Sequence, residues 1–460
     1  MKMYKNKYTH KDRWKMIDKF ILMNKEGKHL YIQLYKYFKD CILSGEIKKG
    51  EKLPSIRMLA KELNISKITV EGAYSQLVAE GYIENIPRRG YFAIGLSEYV
   101  FDRKTAAQKI GEETFTYINT GVDKDSFDLS LWRKTYNSVI RDNSQALFDG
   151  GDLKGELILR EEISDFIGKS RGVVCDPNRI VIGSGSQYLL GMIATLIKDE
   201  NSSVIFEDPG FEQARYTFED YGFGIKAVKV DGEGIKTDLL EKTNARVAYL
   251  SPSHQYPMGT VMPIKRRLEV LAWARKVDGL IIEDDYDSIF RYENEPIPSL
   301  QGLDEGRHVV YMGSFSKLLT PAMRISYMVL PDGLLSKYEK NKHRFTQTAS
   351  KIEQLTLGRF MKEGHFERHL RKANKIYYKK NNLLIDRLKS RYGDKIEILG
   401  ENSGLHLIIK FKDQKEESKL HSIFDKNNIL FEKIKIPESE DSYILLTYSG
   451  LSSAQIEDIF

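Results

Sequence analysis

The chain has little cysteine, no long apolar run and no strong excess of one charge. Two cysteines in 460 residues, Cys41 and Cys175, cannot build a disulfide framework. No stretch is long and apolar enough to span a membrane. The N-terminus, MKMYKNKYTHKDRWK, is basic but lacks the apolar segment of a secretory signal. Internal repeats and low-complexity segments are missing as well, which argues against solenoids and disordered linkers of biased composition. What remains is globular composition, 41% apolar and 30% charged, in a length that suits two or three domains. A cytoplasmic protein with no membrane partner is expected.

The small net charge of +6 conceals an asymmetry. Residues 1–96 hold 19 Lys/Arg against 10 Asp/Glu, and the rest holds 52 against 55. A basic head on a near-neutral body suits a polyanionic partner for the head, although a solvated basic surface reads the same way.

In the head, Leu30, Leu34, Tyr37, Phe38, Cys41 and Ile42 recur at helical spacing. KKGEKLPS is a polar turn in which Pro54 suits a helix start, and IRMLAKELN is a short second helix. Ser66 is a good N-cap for a third helix from Lys67 to Glu80, with Val70, Ala73, Tyr74, Leu77 and Val78 as its core face. YIENIPRRGYFAI then reads as strand, tight turn, strand. Three helices and a hairpin make a winged helix-turn-helix. The stretch LPSIRMLAKELNISKITVEGAYSQLVAEGYI resembles the GntR-type DNA-binding domain throughout. The expected domain spans 25–94, with a linker at 95–114. Candidate contacts to double-stranded operator DNA are Arg57, Ser66, Lys67 and Thr69, with Arg88 and Arg89 at the wing tip.

From 115 to 460 the pattern is α/β. RIVIG, SVIFED, VAYLSP, LIIEDDY and HVVYMGS are bounded apolar runs with helical stretches between them, as in a mostly parallel sheet. Charged helices follow from about 333, and GLHLIIKF and SYILLTY suit strands of a smaller α+β domain.

Five segments carry chemistry. SFSKLLTPAMRISY sets Lys317 between Ser314 and Ser316, with Arg324 seven residues on. Such a lysine can form an imine with a carbonyl cofactor, while hydroxyls and an arginine hold a phosphate. A solvated loop would also account for that cluster on its own. IGSGSQ places Gly185 and Ser186 between a strand and a helix, which fits either a phosphate cup or a plain turn. IIEDDYDS puts Asp284 and Tyr286 on one face of a strand end, with Glu283 and Asp285 on the other. One of these three consecutive acids is expected to need a cationic partner. In SPSHQYPMG, His254 and Tyr256 can reach a ligand beyond the strand ends. In EDPGFEQ, Phe211 can stack on a ring or pack in the core.

Together with GDLKGELILREEISDFIGKSRGV, and in their order along the chain, these segments resemble fold-type I aminotransferases. With its GntR-type head, the whole chain resembles the MocR/GabR subfamily of bacterial transcription regulators. The resemblance implies that pyridoxal 5'-phosphate (PLP) is held covalently by Lys317. Asp284 would pair the pyridine nitrogen, Tyr286 the ring oxygen, and Phe211 would stack. Gly185, Ser186, Ser314, Ser316 and Arg324 would surround the phosphate. It also implies a small-molecule effector and a head-to-tail homodimer. No residue is assigned to a metal.

Two departures bear on function. Such proteins hold a ligand carboxylate with a C-terminal arginine, where this chain has Leu445, and GABA-sensing relatives use a second arginine, where it has Gln213. Transamination is therefore expected to be weak or absent, and PLP itself is the expected effector. The rival readings are a working aminotransferase, a sensor of an amino acid such as GABA, and a repressor whose body has lost PLP. Another cation, such as Arg215 or His254, would have to replace the missing ones.

Overall fold

The computed structural model describes residues 29–94, 121–198, 202–292, 297–412, 414–436 and 441–460. The expected linker at 95–114 and the first residues of the expected head lie outside these. The chain divides into two compact units, 1–113 and 114–460. No helix among the described residues is long and apolar enough to cross a membrane.

The first unit contains helices α1 (Leu30–Leu43), α2 (Ile56–Glu62) and α3 (Lys67–Ala79), then a hairpin of β1 (Ile83–Ile86) and β2 (Gly90–Ala93). Side-chain caps set the starts of α2 and α3: Met58 N–H donates to Ser55 Oγ, and Thr69 N–H to Ser66 Oγ. Pro54 therefore precedes the cap of α2 rather than opening the helix. Between α2 and α3, Asn64 turns the chain at a φ of +51°. Leu34, Phe38, Val70, Ala73, Tyr74 and Leu77 fill one core with Ile83 and Ala93 from the hairpin. Two expected core positions lie on the rim instead: Leu30 opens α1 and is 39% exposed, and Val78, in the last turn of α3, is 38% exposed. At a helix end, less of the unit packs over a side chain, so apolar periodicity overstates its burial.

The second unit holds an eight-stranded sheet in the order β3-β10-β9-β8-β7-β4-β5-β6. Its strands are β3 (Ile180–Gly183), β4 (Ser203–Asp208), β5 (Gly224–Asp231), β6 (Gly234–Ile235), β7 (Val247–Leu250), β8 (Leu280–Asp285), β9 (Val309–Ser314) and β10 (Ser326–Val329). The pairs from β5 through β4, β7 and β8 to β9 are parallel, while β10 runs antiparallel to both neighbours, β3 and β9. Alternate residues feed opposite faces. Phe206, Ile282 and Val310 join one core, and Ile205, Ile281 and Val309 another. Burial on both faces explains the unbroken apolar runs. A four-stranded antiparallel sheet forms the smaller domain: β11 (Ile396–Leu399), β12 (His406–Phe411), β14 (Ser442–Thr447) and β13 (Glu432–Ile434). The 28-residue helix His365–Tyr392 packs Leu384 and Leu388 into its core.

Candidate cofactor site

Beyond the carboxyl ends of β4, β7, β8 and β9 lies a pocket of about 380 Å³. Gly185, Ser186, Phe211, Tyr256, Asp284, Tyr286, Ser314, Ser316, Lys317 and Arg324 all line it. His254 does not; it lies behind the wall.

One end of the pocket is built for an anion. Gly185 caps the helix Ser186–Ile197, whose first N–H groups have no partner within the helix. A Cβ on Gly185 would stand 2.6 Å from Arg324 Nη2, so only glycine lets the guanidinium approach the helix end. Among the described residues no carboxylate neutralises Arg324. Ser316 N–H donates to Ser314 Oγ at 3.2 Å, and Ser326 Oγ to Ser314 Oγ at 3.0 Å, which fixes the loop carrying Lys317. A helix N-terminus, hydroxyls and an unpaired arginine together suit a phosphate.

The three consecutive acids separate as strand alternation requires. Asp284 opens on the pocket and accepts a hydrogen bond from Tyr249 Oη. Glu283 and Asp285 turn the other way. Glu283 accepts from the backbone N–H groups of Leu300 and Gln301 at 2.9 and 3.0 Å. Asp285 meets the buried Arg171 at 2.7 Å and accepts from Tyr311 Oη at 2.7 Å. Burial pushes the Asp284 carboxyl up to about 6; the Tyr249 hydrogen bond pulls it down, and Asp285 and Asp287 push it up further. Burial acts most strongly on Asp285 and raises it, but Arg171 together with hydrogen bonds from Ser288 and Tyr311 outweighs burial and holds the group below the usual carboxylate range. The expected cation is thus Arg171, paired to the middle acid's neighbour rather than to Asp284.

Burial lowers the ammonium pKa of Lys317, and Asp287 opposes that shift. Both effects bear on a nucleophilic amine: desolvation favours its neutral form. Asp287 accepts from His254 Nδ1–H at 2.7 Å, and the Tyr286 hydroxyl lies 3.2 Å from the same nitrogen. His406 lines the pocket and packs on His254 with ring centres 4.8 Å apart. Burial drives His406 down to about 3, with help from His254, so it stays neutral. His254, Asp287 and His406 bring ligand-type atoms within 4.8 Å of one another, the one group of this kind among the described residues that could hold a metal. The motif spacing did not suggest it, because the three residues come from two loops and a strand of the smaller sheet.

Phe211 meets Tyr256 edge-on at 5.7 Å, and Tyr256 Oη donates to Glu432 at 2.8 Å. Gln213 and Leu445 both line the pocket, so the two positions where an arginine was expected do face the ligand space. Leu445 belongs to an apolar cluster with Ile408, Ile434 and Tyr443. Arg215 does not line the pocket; its Nη2 donates to the backbone carbonyl of Glu207 at 3.4 Å. Buried Glu207, overlooked in the sequence, accepts from Ser251 N–H and Oγ at 3.0 and 3.2 Å. Burial raises its carboxyl to about 7.

In the head, Arg57, Ser66, Lys67, Arg88 and Arg89 are exposed and Thr69 is partly so. Arg88 adopts a φ of +62° at the hairpin tip, and Arg89 lies over the Phe92 ring at 5.5 Å.

Residues 30–92 match the family "Bacterial regulatory proteins, gntR family", and residues 123–460 match "Aminotransferase class I and II". The chain is 41% identical over 407 residues to "Uncharacterized HTH-type transcriptional regulator YdeL" of Bacillus subtilis, covering 86% of this chain and 88% of that one. It is 27% identical to "Probable rhizopine catabolism regulatory protein MocR" of Rhizobium meliloti, covering 85% and 83%. It is 26% identical to "HTH-type pyridoxine biosynthesis transcriptional regulator PdxR" of Corynebacterium glutamicum, covering 82% of each. Among solved structures, an archaeal alanine:glyoxylate aminotransferase superposes with a TM-score of 0.67 at 25% identity, over 76% of this chain and 89% of that one.

Proposed function

We propose that this chain, which belongs to the MocR-like subfamily of GntR-type transcriptional regulators, binds PLP in its C-terminal unit and adjusts operator binding to PLP supply. The observation that carries this reading is the make-up of one pocket. It contains every residue type that PLP needs, while Gln213 and Leu445 stand at the two positions where a carboxylate clamp would need arginine. A carboxylate entering a buried site without a cation is strongly disfavoured. A sensor of the cofactor needs no such clamp. The name of one relative, a regulator of pyridoxine biosynthesis, supports the same reading.

The fit to PLP rests on the glycine cradle beside Arg324 and on the half-buried Lys317, whose amine desolvation shifts toward its neutral form. When bound, PLP supplies a carbonyl that joins covalently to a primary amine and a ring that withdraws electrons. Lys317 provides that amine. Arg324, Ser314, Ser316, Gly185 and the start of the helix Ser186–Ile197 bind the phosphate. Asp284 holds a proton at the pyridine nitrogen, a task suited to a carboxylate poised near 6. Tyr286 would hydrogen-bond the ring oxygen, and Phe211 would pack against the ring.

The head binds double-stranded operator DNA through Arg57, Lys67, Arg88 and Arg89, with α3 in the major groove. The chain works in the cytoplasm as a head-to-tail homodimer that reads two half-sites. PLP binds one arrangement of the dimer better than the other and so shifts the population. Titrating PLP into apo-protein should change its affinity for an operator fragment, and Lys317→Ala should blunt the response. If PLP saturates the protein without effect while an added amino acid alters DNA binding, the effector is the amino acid and this reading fails.

A further inference from the structure

Four large apolar side chains among the described residues of the N-terminal unit are exposed, and one stands apart. Ile68 is 80% exposed, against 39% for Leu30, 43% for Tyr31 and 38% for Val78. Ile68 is the second residue of α3, in the turn opened by the Ser66 cap. An isoleucine there gains no burial, and its β-branch weakens the helix slightly. Nothing in the fold of the unit calls for it.

The surroundings narrow the choice of occupant. Lys67 precedes Ile68 and is exposed, as are Arg57, Arg88 and Arg89, so the unit's surface is complementary to a polyanion. The hydroxyl residues flanking this pair are already engaged with each other. Ser66 Oγ lies 2.7 Å from Thr69 Oγ1 and accepts from Thr69 N–H at 3.1 Å. The turn therefore presents one cation and one apolar group outward. In the major groove the base edges carry a single apolar group, the 5-methyl of thymine.

We propose that Ile68 is a specificity-determining residue that packs against a thymine 5-methyl group in the major groove of the operator. This rests on the reading that α3 enters that groove. Lys67 then holds phosphate or a guanine edge, while Ile68 selects thymine at one position of each half-site. The contact is sensitive to the methyl group alone, because the hydrogen-bonding edge of thymine is shared with uracil.

The test uses the full-length chain with PLP. A binding sequence is first obtained by in vitro selection from random duplex DNA. Each thymine is then replaced singly by deoxyuridine, which removes only the methyl. The wild-type chain should bind about fourfold more weakly at one thymine per half-site, the worth of one buried methyl. Ile68→Ala should bind the parent duplex more weakly and lose that sensitivity, and Ile68→Val should keep most of it. Ile68 is exposed, so thermal melting of both variants should match the wild type. The proposal is overturned if no single replacement matters, or if Ile68→Ala keeps the same sensitivity. It is equally overturned if the variant changes the oligomeric state and leaves the uracil scan as in the wild type. A selection that enriches no sequence would instead remove the DNA-binding reading itself, and this proposal with it.

Discussion

Gly185→Ala tests the anion end of the pocket at a single carbon. The added methyl would stand 2.6 Å from Arg324 Nη2 and 3.4 Å from its Cζ. The first distance is too short for any real contact, so something must move. The obstruction is the tip of a long side chain, and Arg324 can swing away toward solvent. The backbone has no such escape. Gly185 has φ +96° and ψ 158°, a region that costs other residues about 1–3 kcal/mol. A fold with about 5–15 kcal/mol of stability survives that. The larger effect falls on the ligand. Displacing Arg324 removes a charge-assisted contact worth about 1.5–3 kcal/mol. PLP should then bind roughly ten- to a hundredfold more weakly. The assay is a PLP titration of apo-protein followed by absorbance, with melting curves as the check on folding. Arg324→Ala should weaken binding similarly without touching the backbone. In the double variant the second change should add little, because Gly185→Ala acts by moving Arg324. An unchanged PLP affinity in Gly185→Ala, or strictly additive losses in the double variant, would refute the reasoning.

Glu207→Gln should stabilise the protein at pH 8 but not at pH 4. The buried carboxyl sits at about 7, above its unfolded value, so its contribution is complete at low pH and lost as pH rises through 7. The difference between variant and wild type should grow to about 3 kcal/mol by pH 8; denaturation midpoints at the two pH values check this, and a constant difference would contradict it. Mixed with PLP, common amino acids and a keto acid, the protein should turn over far more slowly than about 1 per second. Ordinary enzyme rates would show that some other group replaces the missing arginines.

The order of elements was legible because the signals were local. Apolar runs bounded by turn residues located β3, β4, β7, β8 and β9, and Ser66 caps α3 where its position suggests, whereas α2 starts at the cap Ser55 rather than at Pro54. Other strands carry weaker patterns. β5 breaks its apolar residues with Lys226 and Lys229, three positions apart, and so fits neither an unbroken buried strand nor strict strand alternation. β10 is only four residues, SYMV, and lies at the end of the segment that carries Lys317 and Arg324. Its antiparallel direction depends on pairing with β3, more than 140 residues earlier, and no local pattern encodes that.

The site divides along the same line. Residues whose role follows from position on one element were readable: Asp284 faces the pocket and Asp285 faces away because strand neighbours must. Partners from distant segments were not. The trio Glu283, Asp284 and Asp285 is stable only because Arg171, 114 positions from Asp285, meets one acid, the start of a helix at Leu300 serves another, and Tyr249 serves the third. With Asp285 neutralised by Arg171 and Glu283 held by backbone N–H groups, Asp284 is left with a tyrosine hydroxyl and no cation. Its carboxyl is raised to about 6, and the charged form lacks a partner in the protein. A protonated ring nitrogen would supply the missing positive charge. The sequence places an acid at the end of β8; the packing on the reverse face keeps that acid available for a ligand.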